Sequence, residues 1–113
     1  MTCIFCKIIA GEVPGNILYR DDRVSAFRDA RPIAPVHVLV VPNRHISSLE
    51  DATAADANLL GQLVLVGRQM AALEGVEKAG YRLVINTGPD AGQSVFHLHL
   101  HVIGGRPLPF KFE

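Results

Sequence analysis

Three histidines alternate with leucines in His97-Leu98-His99-Leu100-His101, and the chemistry of this chain concentrates there. In an extended strand successive side chains point to opposite faces. The three imidazoles therefore share one face while Leu98, Leu100 and Val102 share the other. Consecutive histidines stand roughly 6.5–7 Å apart, about twice the strand rise. Imidazole titrates near neutral pH and serves as nucleophile, proton carrier or metal ligand. A row of three on a rigid element suits phosphate chemistry or metal binding.

Two readings are open at this point. Histidines at i and i+2 can ligate one zinc at about 2.0–2.1 Å. His97 and His101, however, lie about 13 Å apart on a strand, too far to crowd one ion. A three-histidine hydrolytic zinc would need a ligand from elsewhere, such as His37 or His45. The other reading is covalent phosphoryl transfer, in which an imidazole attacks phosphorus and later leaves, while a neighbour bonds a phosphate oxygen or moves a proton. The loop Asn86-Thr-Gly88-Pro-Asp-Ala-Gly92-Gln93-Ser94 supplies backbone N–H groups, amides and hydroxyls at the strand entrance. Gly92 lets the backbone approach an anion closely there. That loop tips the reading towards phosphate. The two cysteines, in Cys3-Ile4-Phe5-Cys6, have the spacing of a metal half-site or a redox pair.

The remaining chain must position these groups. With 113 residues, 49% of them hydrophobic and 19% charged, one domain spanning 1–113 is expected, with its own core. No apolar run reaches the roughly 20 residues of a membrane span. Lys7 and Glu12 interrupt any signal-peptide-like stretch, so a cytoplasmic location is expected. Lys plus Arg equals Asp plus Glu at 11 each, with no basic stripe. That argues against a nucleic-acid polymer as partner and leaves room for a single nucleotide.

Residues 3–10 read as a short helix ended by Gly11, with a turn at Pro14-Gly15. Ile17–Arg20 and Val24–Arg28 flank Asp21-Asp22 as a hairpin. Residues 36–41 form a buried strand closed by Pro42. Residues 54–73 carry the stripe Leu59, Leu60, Leu63, Val64, Val66, Met70 and Leu73, with Thr53 as N-cap, Asp56 completing a capping box and Gly75 at the stop. Residues 81–85 form a short strand and residues 95–103 the histidine-bearing strand. The expected class is α+β: a five-stranded, mainly antiparallel sheet with one long and one short helix.

The run Gly92-Gln93-Ser94-Val95-Phe96-His97-Leu98-His99-Leu100-His101-Val102 resembles the signature of the histidine-triad (HIT) nucleotide-binding family. Ile103-Gly104-Gly105-Arg106 is similar to its Hint branch, the purine nucleoside phosphoramidases. The resemblance covers nearly the whole chain. It includes Ile4-Phe5-Cys6-Lys7-Ile8-Ile9, Asp21-Asp22 with Ala26-Phe27, the run from Ala34 to Pro42, Arg44-His45-Ile46, Leu60-Gly61 and Gly80-Tyr81-Arg82.

This resemblance implies a roster of roles. His99 would be the nucleophile, attacking the α-phosphorus to form a nucleotidyl-histidine that water hydrolyses. His101 would contact the phosphate, and His37 would complete the active-site histidines. Gln93 and Ser94 would hold phosphate and leaving group, with Ser94 placed to help protonate a departing amine. Asp29, beside Arg28, would accept hydrogen bonds from ribose hydroxyls. Phe5, Ile8, Phe27 and Ala30 would form the slot for the base, and Asn86 and Gly92 would line the phosphate side. Catalysis would need no metal. Cys3, Cys6, His45 and His97 match positions that hold structural zinc in some members. The family also implies a homodimer that joins two sheets into ten strands.

Two positions depart from the family pattern. Ala30-Arg31-Pro32 stands where members often have Ile-Ser-Pro, which widens the slot. The tail from Leu108 to Glu113 lacks the tryptophan that some Hint proteins carry near the end, where the chain reaches towards the partner subunit's site. The expected activity is hydrolysis of purine nucleoside 5′-phosphoramidates to a nucleoside monophosphate and an amine. Alternatives are a dinucleoside polyphosphate hydrolase, a non-catalytic nucleotide-binding or interaction protein, and a zinc-dependent hydrolase.

Overall fold

The sheet is assembled around its most apolar segment. Val36–Pro42 is buried at every position, because it is covered on both faces, and it forms the middle strand of five. In the computed structural model, which describes residues 3–109, the elements run α1 (Ile4–Ile9), β1 (Ile17–Arg20), β2 (Val24–Arg28), β3 (Val36–Pro42), α2 (Ala57–Leu73), β4 (Tyr81–Val84) and β5 (Leu100–Gly104). The spatial order is β1-β2-β3-β5-β4, and every pairing is antiparallel. The α+β expectation and its five strands hold. Residues 110–113, most of the tail that lacks the tryptophan, lie outside the described residues.

Local chemistry sets the element ends. Asp21 Oδ1 accepts from the N–H groups of Arg23 and Val24 at 2.8 and 2.7 Å, closing the β1–β2 turn. Thr53 Oγ1 accepts from Ala55 N–H, and Asp56 Oδ2 accepts from Thr53 N–H, the reciprocal capping expected from the sequence. The first turn after Thr53 is a 3₁₀ turn, Ala54–Asp56, so the α-helix proper begins three residues later than the pattern implied.

The two faces of the sheet carry separate cores. Val24, Ala26, Val38, Val40, Leu100 and Val102 pack beneath α2 against Leu59, Leu63, Val66 and Met70. Gly67 allows this approach, since a Cβ there would lie 2.7 Å from Leu100 Cδ2. On the opposite face Phe27, Leu39 and Val41 pack with Phe5 of α1. Strand alternation therefore divides β3, with His37, Leu39 and Val41 on the α1 face.

The histidine segment departs from expectation. Only residues 100–104 form the strand, with His101 opposite Leu39, whereas the sequence pattern extended it back to residue 95. The reason lies in β3, which ends at Pro42, a residue with no N–H to offer a further rung. Residues 95–99 bond instead to the end of β3 and the chain just beyond it. Leu98 N–H donates to Ile46 O at 2.6 Å, and His97 Nε2–H donates to Pro42 O at 2.8 Å. The even spacing of three imidazoles is lost. The His99 and His101 ring centroids are 4.9 Å apart, and His97 turns to a different set of neighbours.

Candidate active site and metal centre

His97 is fully buried, at 0% exposure. With its Nε2–H given to Pro42 O, its Nδ1 carries a lone pair. That atom lies 3.3 Å from Cys3 Sγ, 3.5 Å from Cys6 Sγ and 3.2 Å from His45 Nδ1, and Cys6 Sγ lies 3.4 Å from His45 Nδ1. Cys3 and Cys6 meet because α1 places them one turn apart. His45 comes from the exit of β3. The four ligand atoms lie within 4.8 Å of one another. A tetrahedral zinc with bonds of about 2.05 Å to nitrogen and 2.3 Å to sulfur has edges of about 3.3 Å between nitrogens and about 3.5 Å between nitrogen and sulfur. The nitrogen–nitrogen edge and three nitrogen–sulfur edges of the cluster come close to those lengths. Burial pushes the Cys6 thiol up, with Cys3 beside it adding to the rise. Burial also holds His97 below the usual imidazole range, the neutral form that a ligand needs.

Two residues on, His99 is 5% exposed and uses its nitrogens the other way round. Its Nδ1–H donates to His97 O at 2.7 Å, which leaves Nε2 with the lone pair. The ring lines a cleft of about 1040 Å³ together with Phe5, Ile8, Phe27, Ala30 and Ser94. The Phe5 ring stands edge-on to His99, with centroids 5.1 Å apart, and to Phe27 at 5.3 Å. An apolar slot thus abuts the free nitrogen.

His101 also lines the cleft. Its Nδ1 lies 2.9 Å from His37 Nε2, and His37 Nδ1 accepts from Ile33 N–H at 3.2 Å. Burial first, and then the neighbouring His99 and His37, lower His101 to about 4. That shift favours the neutral imidazole. Burial likewise lowers His37, while Asp29 opposes the shift. Asp29 Oδ1 accepts from Arg31 N–H at 2.8 Å, and Oδ2 lies 3.5 Å from His37 Nε2.

Several residues singled out from the sequence are placed differently. The Arg28 guanidinium donates from Nε and Nη2 to Glu74, both at 2.9 Å. Strand alternation sends it to the α2 face, so only the rest of that residue borders the cleft. Gln93 is buried and its amide is spent within the loop. Its Oε1 accepts from Gly88 N–H at 2.8 Å, and its Nε2 donates to Ser47 O at 2.8 Å and Val95 O at 3.1 Å. That amide staples the loop to the chain beyond β3. Gly92, at φ 84°, allows the reversal that aims Ser94 at the cleft. Asn86 is half-buried and does not border the cleft. Leu39 and Val95, which sequence reading overlooked, do border it. Alternation from His37 along β3 is the signal that would have found Leu39.

The chain is similar in sequence and fold to known proteins. The HIT domain profile matches residues 10–108. The purine nucleoside phosphoramidase of Escherichia coli (strain K12) is 47% identical over 93% of this chain and 88% of that protein. A histidine triad protein from Clostridium difficile, solved at 0.95 Å, superposes with a TM-score of 0.95 at 43% identity, over 99% of this chain and 97% of that one. A zinc-bound histidine triad family protein from Mycobacterium smegmatis superposes with a TM-score of 0.82 at 36% identity, over 94% of this chain and 76% of that one.

Proposed function

Because the chain belongs to the HIT domain family, we propose that it hydrolyses purine nucleoside 5′-phosphoramidates, releasing a nucleoside monophosphate and an amine. The observation that carries this reading is the orientation of His99: Nδ1–H held by His97 O, ring in the cleft, Nε2 left to attack. His99 Nε2 forms a bond to the α-phosphorus as the P–N bond breaks, and the amine leaves with a proton. Ser94, exposed at the cleft, supplies a hydroxyl for that transfer. The His101 Nε2–H donates to a non-bridging oxygen as charge develops there. Water then attacks the nucleotidyl-histidine, restoring His99 and releasing the monophosphate. Phe5, Ile8, Phe27 and Ala30 take the base, and the Asp29 carboxylate takes the ribose hydroxyls.

Cys3, Cys6, His45 and His97 hold a structural zinc in this proposal. When bound, the ion cross-links α1 to the two segments flanking the end of β3 and takes no part in the chemical step. The zinc-bound relative and the tetrahedral edge lengths support it. Residues 1–113 act as one domain in a cytoplasmic homodimer, a setting that suits a chain in which none of the described helices is long and apolar enough to cross a membrane.

The test incubates wild type, His99→Gly and His99→Ala with an adenosine 5′-phosphoramidate, with and without chelator, and follows covalent adduct by intact mass. Wild type should show a quenched adenylyl adduct. Both variants should lose adduct and turnover yet still bind adenosine monophosphate. Full activity in His99→Ala would sink the mechanism. Loss of wild-type activity on chelation without unfolding would point to a catalytic metal, and turnover of dinucleoside polyphosphates in preference would change the substrate class.

A further inference from the structure

We propose that His37 is a positioning residue that fixes His101 as an Nε2–H donor, and that Asp29 couples this setting to the sugar of the bound nucleotide. The second half rests on the reading of Asp29 as the ribose acceptor. The first half comes from hydrogen-bond bookkeeping. Ile33 N–H donates to His37 Nδ1 at 3.2 Å, so in the neutral ring that nitrogen is the acceptor and Nε2 carries the hydrogen. Nε2–H then donates to His101 Nδ1 at 2.9 Å. His101, with Nδ1 accepting, must carry its own hydrogen on Nε2. One backbone N–H thereby sets the tautomer of two imidazoles in series.

Asp29 stands beside that series. Its N–H donates to His37 O at 3.0 Å, and its Oδ1 is occupied by Arg31 N–H. Only Oδ2 faces His37 Nε2, at 3.5 Å. The His37 Nε2–H therefore has two competing acceptors, His101 Nδ1 at 2.9 Å and Asp29 Oδ2 at 3.5 Å. A sugar hydroxyl donating to Oδ2 draws on the carboxylate's negative charge. The hydrogen then goes wholly to His101, which becomes more firmly fixed as donor. Sugar recognition is in this way felt in the chemical step as well as in binding.

Asp29, His37 and His101 also have the proximity of a metal cluster. The Ile33 N–H argues against an ion. With Nδ1 accepting, a cation at Nε2 would require His37 to lose both ring hydrogens.

His37→Gln and His37→Leu separate positioning from other roles, because a glutamine Nε2 reaches roughly where the imidazole Nε2 stands and donates, whereas leucine cannot. His37→Leu should lower kcat by about tenfold to a hundredfold, with KM within about threefold. His37→Gln should recover most of that loss. In wild type a 2′,3′-dideoxy substrate should lose kcat as well as raise KM, and in His37→Leu the kcat part of that penalty should disappear. Equal losses in the Gln and Leu variants would overturn the proposal, as would the same kcat penalty for the dideoxy substrate in both backgrounds. Long-range ¹H–¹⁵N spectra of the wild-type imidazoles should show His101 as the Nε2–H tautomer. A His101 Nδ1–H tautomer overturns the proposal. These spectra need no turnover, so they test the tautomer series even for a chain that proves inactive, an outcome that would speak against the phosphoramidase reading alone.

Discussion

His97 and His99 lie two residues apart, yet they belong to regions that use imidazole in opposite senses. In the cluster with Cys3, Cys6 and His45, His97 gives Nε2–H to the Pro42 carbonyl and turns Nδ1 towards two sulfurs and a second imidazole. In the cleft, His99 gives Nδ1–H to the His97 carbonyl, which leaves Nε2 with the lone pair. His37 repeats the device with an N–H in place of a carbonyl, through Ile33. In each ring a main-chain group fixes one nitrogen and thereby assigns the other. The difference between the ligand and the nucleophile proposed above is thus written into the backbone path, since the side chains are chemically identical.

The largest expected effect separates the two regions directly. His99→Ala should cut turnover on the order of 10⁴-fold or more, with zinc content unchanged and Tm within about 3 °C of wild type. His97→Ala should do the reverse first: zinc per chain falls, and Tm drops by more than about 10 °C as a fully buried imidazole of the proposed zinc site is removed. Metal analysis, calorimetry and single-turnover kinetics on both variants check this. Zinc loss in His99→Ala, or full zinc and an unchanged Tm in His97→Ala, would break the division.

A smaller effect concerns pH. The folded chain holds His101 at about 4, below the unfolded value near 6.5, so the unfolded state binds more protons between the two. Stability should be fully present above about pH 6.5 and be lost as pH falls towards 4. In a Tm series from about pH 7 to about pH 4.5, His101→Gln should flatten the slope, while acid release of zinc contributes to both proteins. An unchanged slope would mean that His101 is not held neutral by its surroundings.

The smallest effect marks the border of the cleft. Arg28 pairs with Glu74 on the far face, and its side chain is 46% exposed. Arg28→Ala should therefore change stability little, as for an exposed ion pair, and leave KM for the nucleotide unchanged. A KM rise of about tenfold would show that the guanidinium reaches the substrate after all.

Much of the fold was legible because its signals are local. The apolar run of β3 closed by Pro42, the Thr53–Asp56 capping box and the Asp21-Asp22 turn each act within a few residues, and each appears where the pattern placed it, to within about three residues. The histidine segment was misread for a non-local reason. Strand alternation in 95–99 is present in the sequence, but β3 offers no further rung beyond Pro42, and pairing needs a partner. Gln93 is the corresponding case at the site. Its type suited a phosphate contact, and only the positions of Gly88, Ser47 and Val95 around it show the amide to be consumed.

The sequence by itself determined which residues could act and the class of fold that would carry them. Periodicity, caps and a long motif depend on residue type and spacing, which are properties of the chain. Tertiary structure alone decided the division of labour among the histidines. A tautomer is chosen by whichever carbonyl or N–H comes within hydrogen-bond distance. Here those partners, Pro42, His97 and Ile33, take their places only when β3, α1 and the segment before β5 have folded together.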